Sequence, residues 1–124
     1  AGTWYVYLSY GMHWCANLVC GTTPNEGAVL LRAVEPLEGL PTMRRRRGGV
    51  ADRLLASGPG RLTQALGITL SLDGLAMRES NVVVQAGGGE ELDVAASLRI
   101  GITKAVDWPL RFAVRGSKWV SRTA

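Results

Sequence analysis

Apolar and polar residues alternate along residues 4–19 (WYVYLSYGMHWCANLV), break step at Tyr10-Gly11 and resume alternating beyond it. Period-two alternation on both sides of a glycine-containing break is the pattern of a β-hairpin, here with a tyrosine at its tip. Residues directly opposite each other on such a ribbon share a face. With an odd-length loop, Tyr10-Gly11-Met12, one face carries Tyr5, Tyr7, Cys15 and Asn17, and the other carries Trp4, Val6, Leu8, Trp14, Ala16 and Leu18. An even-length loop breaks this grouping. The second set is apolar enough to be core. The first offers aromatic planes and an amide, groups that stack on a nucleobase and test its Watson–Crick edge. Tyrosines at alternate positions are equally ordinary strand residues, so spacing alone leaves both readings open.

Beyond a turn-rich stretch at 21–27, residues 28–34 form a continuous apolar run around Arg32, the pattern of a buried strand with one charge. A buried charge needs a partner or an edge position, so Arg32 either ends the strand beside Glu35 or serves a site. Pro36 and Pro41 punctuate the chain, and residues 42–47 predict a short helix that stops at Gly48-Gly49. Residues 50–56 and 61–66 predict two more short helices, separated by Ser57-Gly58-Pro59-Gly60 and closed by Gly67. That separator is either an ordinary helix-linking turn or a place where Gly58 and Gly60 admit a strand of DNA, with Arg61 and free amides sharing a phosphate. Residues 69–80 read as a surface connection, 81–86 as a strand, 87–89 as a flexible turn, and 98–102 and 110–114 as two further strands with Pro109 at an edge.

The 124 residues fit one domain and are 47% apolar. No apolar run is long enough to cross a bilayer and no signal-peptide pattern is present, so export is not expected. Fourteen Lys and Arg against ten Asp and Glu leave a net charge of +4, which suits a polyanionic partner. Lys104 and Lys118 are the only lysines; the remaining cations are arginines, the better fork for phosphate. The run Arg44-Arg45-Arg46-Arg47 spans every side of a helix and reads as general electrostatic attraction. Cys15 and Cys20 fall on opposite faces of a regular strand, which disfavours a mutual disulfide. With one histidine, His13, there is no ligand set at zinc-site spacing. Neither a metal nor a cofactor is expected.

Four blocks, YVYLSYGMHWCANLV, AVLLRAVEPLEGL, SGPGRLTQALGI and RIGITKAVDWPLRFAVRGSKWVS, follow one another almost from end to end, and together they resemble the alkyladenine (3-methyladenine) DNA glycosylase family. The resemblance implies a mixed α/β single domain: a curved, largely antiparallel sheet with short flanking helices and a protruding β-hairpin. It implies an enzyme that flips alkylated or deaminated purines out of duplex DNA and hydrolyses the N-glycosidic bond. Tyr10 then corresponds to the wedge that enters the minor groove, and Met12 contacts neighbouring base pairs. Tyr7, Asn17 and Arg32 belong to the base pocket, Tyr7 as a stacking ring and Asn17 as the amide that opposes the exocyclic amino group of guanine. Arg61, Ile100 and Gly101 contact the DNA backbone. Double-stranded DNA is the implied partner, no cofactor is implied, and the protein is expected to be a monomer in the bacterial cytoplasm or the nucleus.

The sequence departs from the family pattern in one respect. The family's water-activating glutamate, with a histidine and a further tyrosine of the pocket, lies N-terminal to the hairpin, upstream of Ala1. None of the ten carboxylates matches its motif. Residues 1–124 therefore read as a glycosylase domain lacking its N-terminal segment and inactive alone, with a non-catalytic module that binds damaged DNA as the alternative. No motif singles out either lysine as a Schiff-base nucleophile, so a monofunctional hydrolase is expected of the intact protein.

Overall fold

The alternation around Tyr10 folds as an antiparallel hairpin of β1 (Trp4–Ser9) and β2 (His13–Cys20). Tyr5 lies opposite Asn17, Tyr7 opposite Cys15 and Ser9 opposite His13, which is the register of the odd-length loop. The computed structural model describes residues 1–22, 26–87, 91–100 and 108–121. Within them β3 (Gly27–Leu30) pairs antiparallel with β2, giving a sheet of order β1-β2-β3. Helices α1 (Leu40–Arg46) and α2 (Pro59–Leu66) follow, and β4 (Val94–Ser97) pairs with β5 (Arg111–Val114) in a separate two-stranded antiparallel sheet. The chain is mixed α/β with antiparallel sheets and short helices, as the resemblance implies. No helix among the described residues is long and apolar enough to cross a membrane.

The core lies between the apolar face of the hairpin and α2. Trp4, Val6 and Ala16 of the hairpin are buried with Leu62 and Ala65 of α2, and with Ala56, Ile68 and Leu72 around them. Burying a side chain the size of leucine stabilises by roughly 2–3 kcal/mol, so this seam holds the hairpin to the helix. Leu8 shares the face of Val6 but is 46% exposed, because the tip half of the ribbon reaches past the core. Helix α2 begins with Pro59 in its first turn and ends at Gly67, whose φ of 69° is the left-handed stop that glycine adopts without a Cβ clash.

Several expected elements are different, each for a local reason. The 28–34 run is not a buried strand: β3 ends at Leu30, its residues are largely exposed, and Arg32 lies beyond the strand end. After Leu31 the backbone leaves β2, and the Val34 N–H donates to the carbonyl of Ala56 at 3.2 Å instead. Residues 50–56 form only a 3-10 turn at Asp52–Leu54. An α-helix continuing here would need the Leu55 carbonyl to accept from residue 59, which is Pro59 and has no N–H. The 69–80 connection is structural, since it binds the outer edge of β1: the Trp4 N–H donates to Leu75 O (2.9 Å), the Gly74 N–H to Trp4 O (2.9 Å) and the Val6 N–H to Asp73 Oδ1 (2.8 Å).

Residues 81–86 form no strand. Their polar groups are used by neighbouring side chains: the Ser80 hydroxyl accepts from the Val82 N–H (3.2 Å), and the Val82 carbonyl accepts from Trp4 Nε1 (3.1 Å). Of the strand expected at 98–102, residues 98–100 are not in a strand and residues 101–102 lie outside the described residues; a strand lies earlier, at Val94–Ser97. Its register is pinned at one end by Asp93, which accepts the Arg115 N–H on its carbonyl (2.7 Å) and Arg115 Nε on its carboxylate (3.2 Å). At the other end Pro109, with no N–H to donate, precedes β5. Gly88, Gly89, Gly101 and Lys104 lie outside the described residues.

The arginine run is a set of ties and not a diffuse positive face. Four consecutive helical residues point in four directions, and each guanidinium finds its own acceptor. Arg44 grips both carboxylate oxygens of Asp52 (2.9 and 2.7 Å), which holds that carboxyl below its ordinary pKa. Arg45 donates to Thr42 Oγ1 (3.2 Å) and Arg46 to the Ala65 carbonyl (3.0 Å). Arg47 donates to the carbonyls of Leu54 (3.2 Å) and Leu55 (3.1 Å) and to Gln64 Oε1 (2.8 Å). Arg47 thereby supplies the donor that Pro59 lacks.

Candidate nucleic-acid interface

The hairpin tip is a four-residue turn, Ser9 to Met12, closed by the Met12 N–H donating to the Ser9 carbonyl at 3.0 Å. Both central residues have positive φ, 52° at Tyr10 and 66° at Gly11, the signature of a type I′ turn. Glycine adopts this freely, whereas tyrosine pays roughly 1 kcal/mol or more. The Tyr10 side chain on this strained backbone is 87% exposed, and Met12 beside it is 74% exposed. A bulky aromatic held in an unfavourable backbone state with nothing packed on it points to a use outside the fold.

Behind the tip, the aromatic face of the hairpin borders a cavity of about 1220 Å³ whose lining includes Tyr7, Asn17, Arg32 and Ile100. The rings of Tyr5 and Tyr7 lie 5.4 Å apart, tilted by 35°. Asn17 is 6% exposed, and its Nδ2 donates to the carbonyls of Tyr5 (3.3 Å) and Cys15 (3.5 Å). With Nδ2 held by the strand, the amide presents Oδ1 as its remaining acceptor. Lys118, remote from the hairpin in sequence, lines the same cavity, its ammonium 4.9 Å from the centre of the Trp119 ring.

Partial burial, and then the Cys15 thiol beside it, raises the Tyr7 phenol above its ordinary 10.0, with Arg32 pulling weakly the other way. A phenol whose folded pKa exceeds its unfolded value contributes stability that is complete below about pH 10 and is lost as pH rises through the folded pKa. In an ultraviolet absorbance titration, Tyr7→Phe should remove amplitude above pH 10 and leave the earlier part of the curve unchanged; amplitude lost only below that point would contradict the assignment.

A second, smaller cavity of about 420 Å³ runs beside the tip of the hairpin, with Ser9, Tyr10 and His13 on one wall and Ser57, Gly60 and Arg61 on the other. Arg61 Nη1 donates to the Ser57 hydroxyl at 3.0 Å, which aims the guanidinium along this groove. Arg47 lines it too, and burial together with the Arg61 charge lowers the Arg47 pKa. The close approach at Gly60 is internal: a Cβ built there would stand 2.7 Å from Cγ of His13.

The structure thus gathers Tyr7, Asn17, Arg32 and Ile100 around one cavity and Tyr10 and Arg61 along another, with Met12 on the tip outside both. Gly101 lies outside the described residues. Sequence reading did not single out Thr63, whose buried hydroxyl reaches β2, or the packing of His13 on Gly60; a threonine at an inward helix position was the available signal. Cys15 and Cys20 are both free thiols, the first buried and the second exposed. Among the described residues, no group of three His, Cys, Asp or Glu could hold a metal ion.

Residues 1–118 match the model of the methylpurine-DNA glycosylase (MPG) family. A protein of Nitrobacter winogradskyi named "Putative 3-methyladenine DNA glycosylase" is 51% identical over 118 residues, covering 95% of this chain and 56% of its own length. Proteins of the same name from Rhizobium meliloti and Methanoculleus marisnigri are 52% and 48% identical, with 95% and 98% of this chain and 62% and 66% of the relatives covered. The chain therefore spans a little over half to two thirds of the length of these relatives. With the family match running from Ala1 through Lys118, the chain belongs to the methylpurine-DNA glycosylase family.

Proposed function

We propose that the intact protein is a base-excision-repair DNA glycosylase that flips alkylated or deaminated purines, of the 3-methyladenine and hypoxanthine type, out of duplex DNA and hydrolyses their N-glycosidic bond. In that reaction a water oxygen bonds to C1′ of the sugar, the C1′–N bond breaks, and the base leaves with the electron pair, giving an abasic site. Residues of this chain supply recognition. Tyr10 enters the minor groove and fills the space the base vacates, Tyr7 stacks on the flipped base, Asn17 discriminates against guanine, Arg32 borders the pocket, and Met12, Arg61, Ile100 and Gly101 contact the flanking duplex. The glutamate that activates the water lies, on the family resemblance, upstream of Ala1. The observation that carries the reading is an exposed, strained Tyr10 at the tip of the ribbon whose aromatic face, from Tyr7 three residues before it, opens on the cavity bordered by Tyr7, Asn17 and Arg32.

Single-turnover release of hypoxanthine from a duplex carrying one such base tests this in the full-length protein. Taking a base out of the stack costs a few kcal/mol, so removing the wedge in Tyr10→Ala should slow release by about tenfold or more. Unchanged release and unchanged preference for damaged duplex would eliminate the wedge role. Failure of the wild type to release any alkylated or deaminated purine would eliminate the glycosylase reading. Because Lys118 borders the cavity, borohydride treatment during turnover should also trap no protein–DNA adduct; a trapped adduct would replace direct hydrolysis by Schiff-base chemistry.

A further inference from the structure

Helix α2 meets the wedge-bearing arm of the hairpin through a buried hydroxyl. Thr63 is 2% exposed, and its Oγ1 donates to the carbonyl of Trp14 on β2 at 2.8 Å, with the Gly60 carbonyl at 3.0 Å. A threonine inside a helix ordinarily gives its single proton to a carbonyl three or four residues back. Here the shorter contact crosses to the strand. One residue nearer the tip, the His13 ring lies against Gly60, where an added Cβ would fall 2.7 Å from Cγ and 2.8 Å from Cβ of that histidine. Gly60 and Thr63 are three apart and so adjacent on the helix surface, and Arg61 sits in the same turn.

We propose that Thr63 is a positioning residue that, together with Gly60, joins the hairpin and α2 into one rigid unit, so that Tyr10 and Arg61 engage the duplex at a fixed separation. The proposal rests on Tyr10 being the wedge and Arg61 a backbone contact. A two-stranded ribbon is marginally stable by itself, and the exposure of Leu8, Tyr10 and Met12 leaves its tip half with little packing. A wedge on such a ribbon would bend away from the base stack instead of opening it. An anchor at Trp14 and His13, directly below the tip, returns the reaction force to the helix that carries Arg61.

The test uses full-length protein and a duplex with 2-aminopurine beside hypoxanthine, whose fluorescence reports unstacking. Thr63→Val keeps the side-chain volume and removes the hydroxyl; with a buried acceptor left unpaired, the unstacking equilibrium should fall about tenfold. Binding to undamaged duplex should stay within about twofold of wild type, and Thr63→Ser should restore the signal. A Thr63→Val protein that unstacks like wild type, or a Thr63→Ser protein as poor as Thr63→Val, overturns the proposal. Tyr10→Ala separates the two levels: if it lowers the signal and Thr63→Val does not, coupling fails and the wedge stands, whereas an unchanged signal in Tyr10→Ala sinks both. If Thr63→Val does not fold, Gly60→Ala should lower the signal through its clash with His13, and adding His13→Ala should recover it; no recovery counts against the coupling.

Discussion

Trp4→Ala should lower the stability of the fold by about 3–5 kcal/mol, the range for emptying a large aromatic site in a core. Trp4 is 1% exposed, packs in the seam between hairpin and α2, and directs its indole Nε1 to the Val82 carbonyl (3.1 Å) and the Ser80 hydroxyl (3.2 Å). Truncation removes the buried ring, leaves a cavity that the flanking strand cannot fill, and frees the 80–82 segment. Because folded domains are typically stable by only about 5–15 kcal/mol, this single change consumes a large share of the total. Trp4→Phe keeps most of the apolar contact and loses only the donor, so it should cost less, roughly 1–3 kcal/mol. Urea unfolding reads both through the midpoint at unchanged slope. Equal midpoints for wild type and Trp4→Ala would mean that the seam is not the core.

Arg47→Ala should be the most damaging of the four arginine truncations, at about 2–4 kcal/mol, because each partly buried carbonyl left without its donor carries a desolvation penalty. The Leu54 and Leu55 carbonyls and Gln64 Oε1 all lose the same guanidinium. Pro59 cannot step in for Leu55. Arg45, whose contact is an exposed one to Thr42, should change stability by no more than about 0.5 kcal/mol on truncation. Arg47→Lys should recover little, since one ammonium cannot reproduce a planar fork that serves three acceptors. Thermal or urea unfolding of the three variants gives the order directly. Equal, small losses at both positions would return the run to the role of a diffuse positive face.

The parts of this fold that local chemistry decides were legible in the sequence. The alternation over residues 4–19 placed the hairpin and its break, and of the two loop parities it left open, the odd one, which groups Trp4, Val6 and Ala16, is the one formed. Gly67 marked the end of α2, and Pro109 the start of β5. What escaped was decided by distant partners. The run Val82-Val83-Val84 has a strong β-strand preference, yet Trp4 and Ser80 claim the polar groups at Val82 that a ladder would need. The arginine run reads as solvated until α1 is packed on α2. At the candidate site, alternation put Tyr7 and Asn17 on one face, but no spacing rule brings Arg32 or Ile100 to them; those positions came from the family resemblance, and the cavity unites them. Thr63 stayed hidden, and Gly60 read as an ordinary turn or as room for DNA, because the importance of both lies in what the hairpin does to them.

The bonds that the 69–80 connection makes to β1 also determine how the three-stranded sheet can grow. The Gly74–Trp4, Trp4–Leu75 and Val6–Asp73 bonds, with the Thr3–Ala76 bridge, occupy the outer flank of β1 as far as Val6. The opposite flank, at β3, has its side chains largely exposed. Unpaired strand edges recruit further strands, and here the flank of β1 is withdrawn from recruitment. An additional strand, from elsewhere in the polypeptide or from another molecule, meets a closed door at the Trp4 end of β1, where the 69–80 connection already holds the backbone groups.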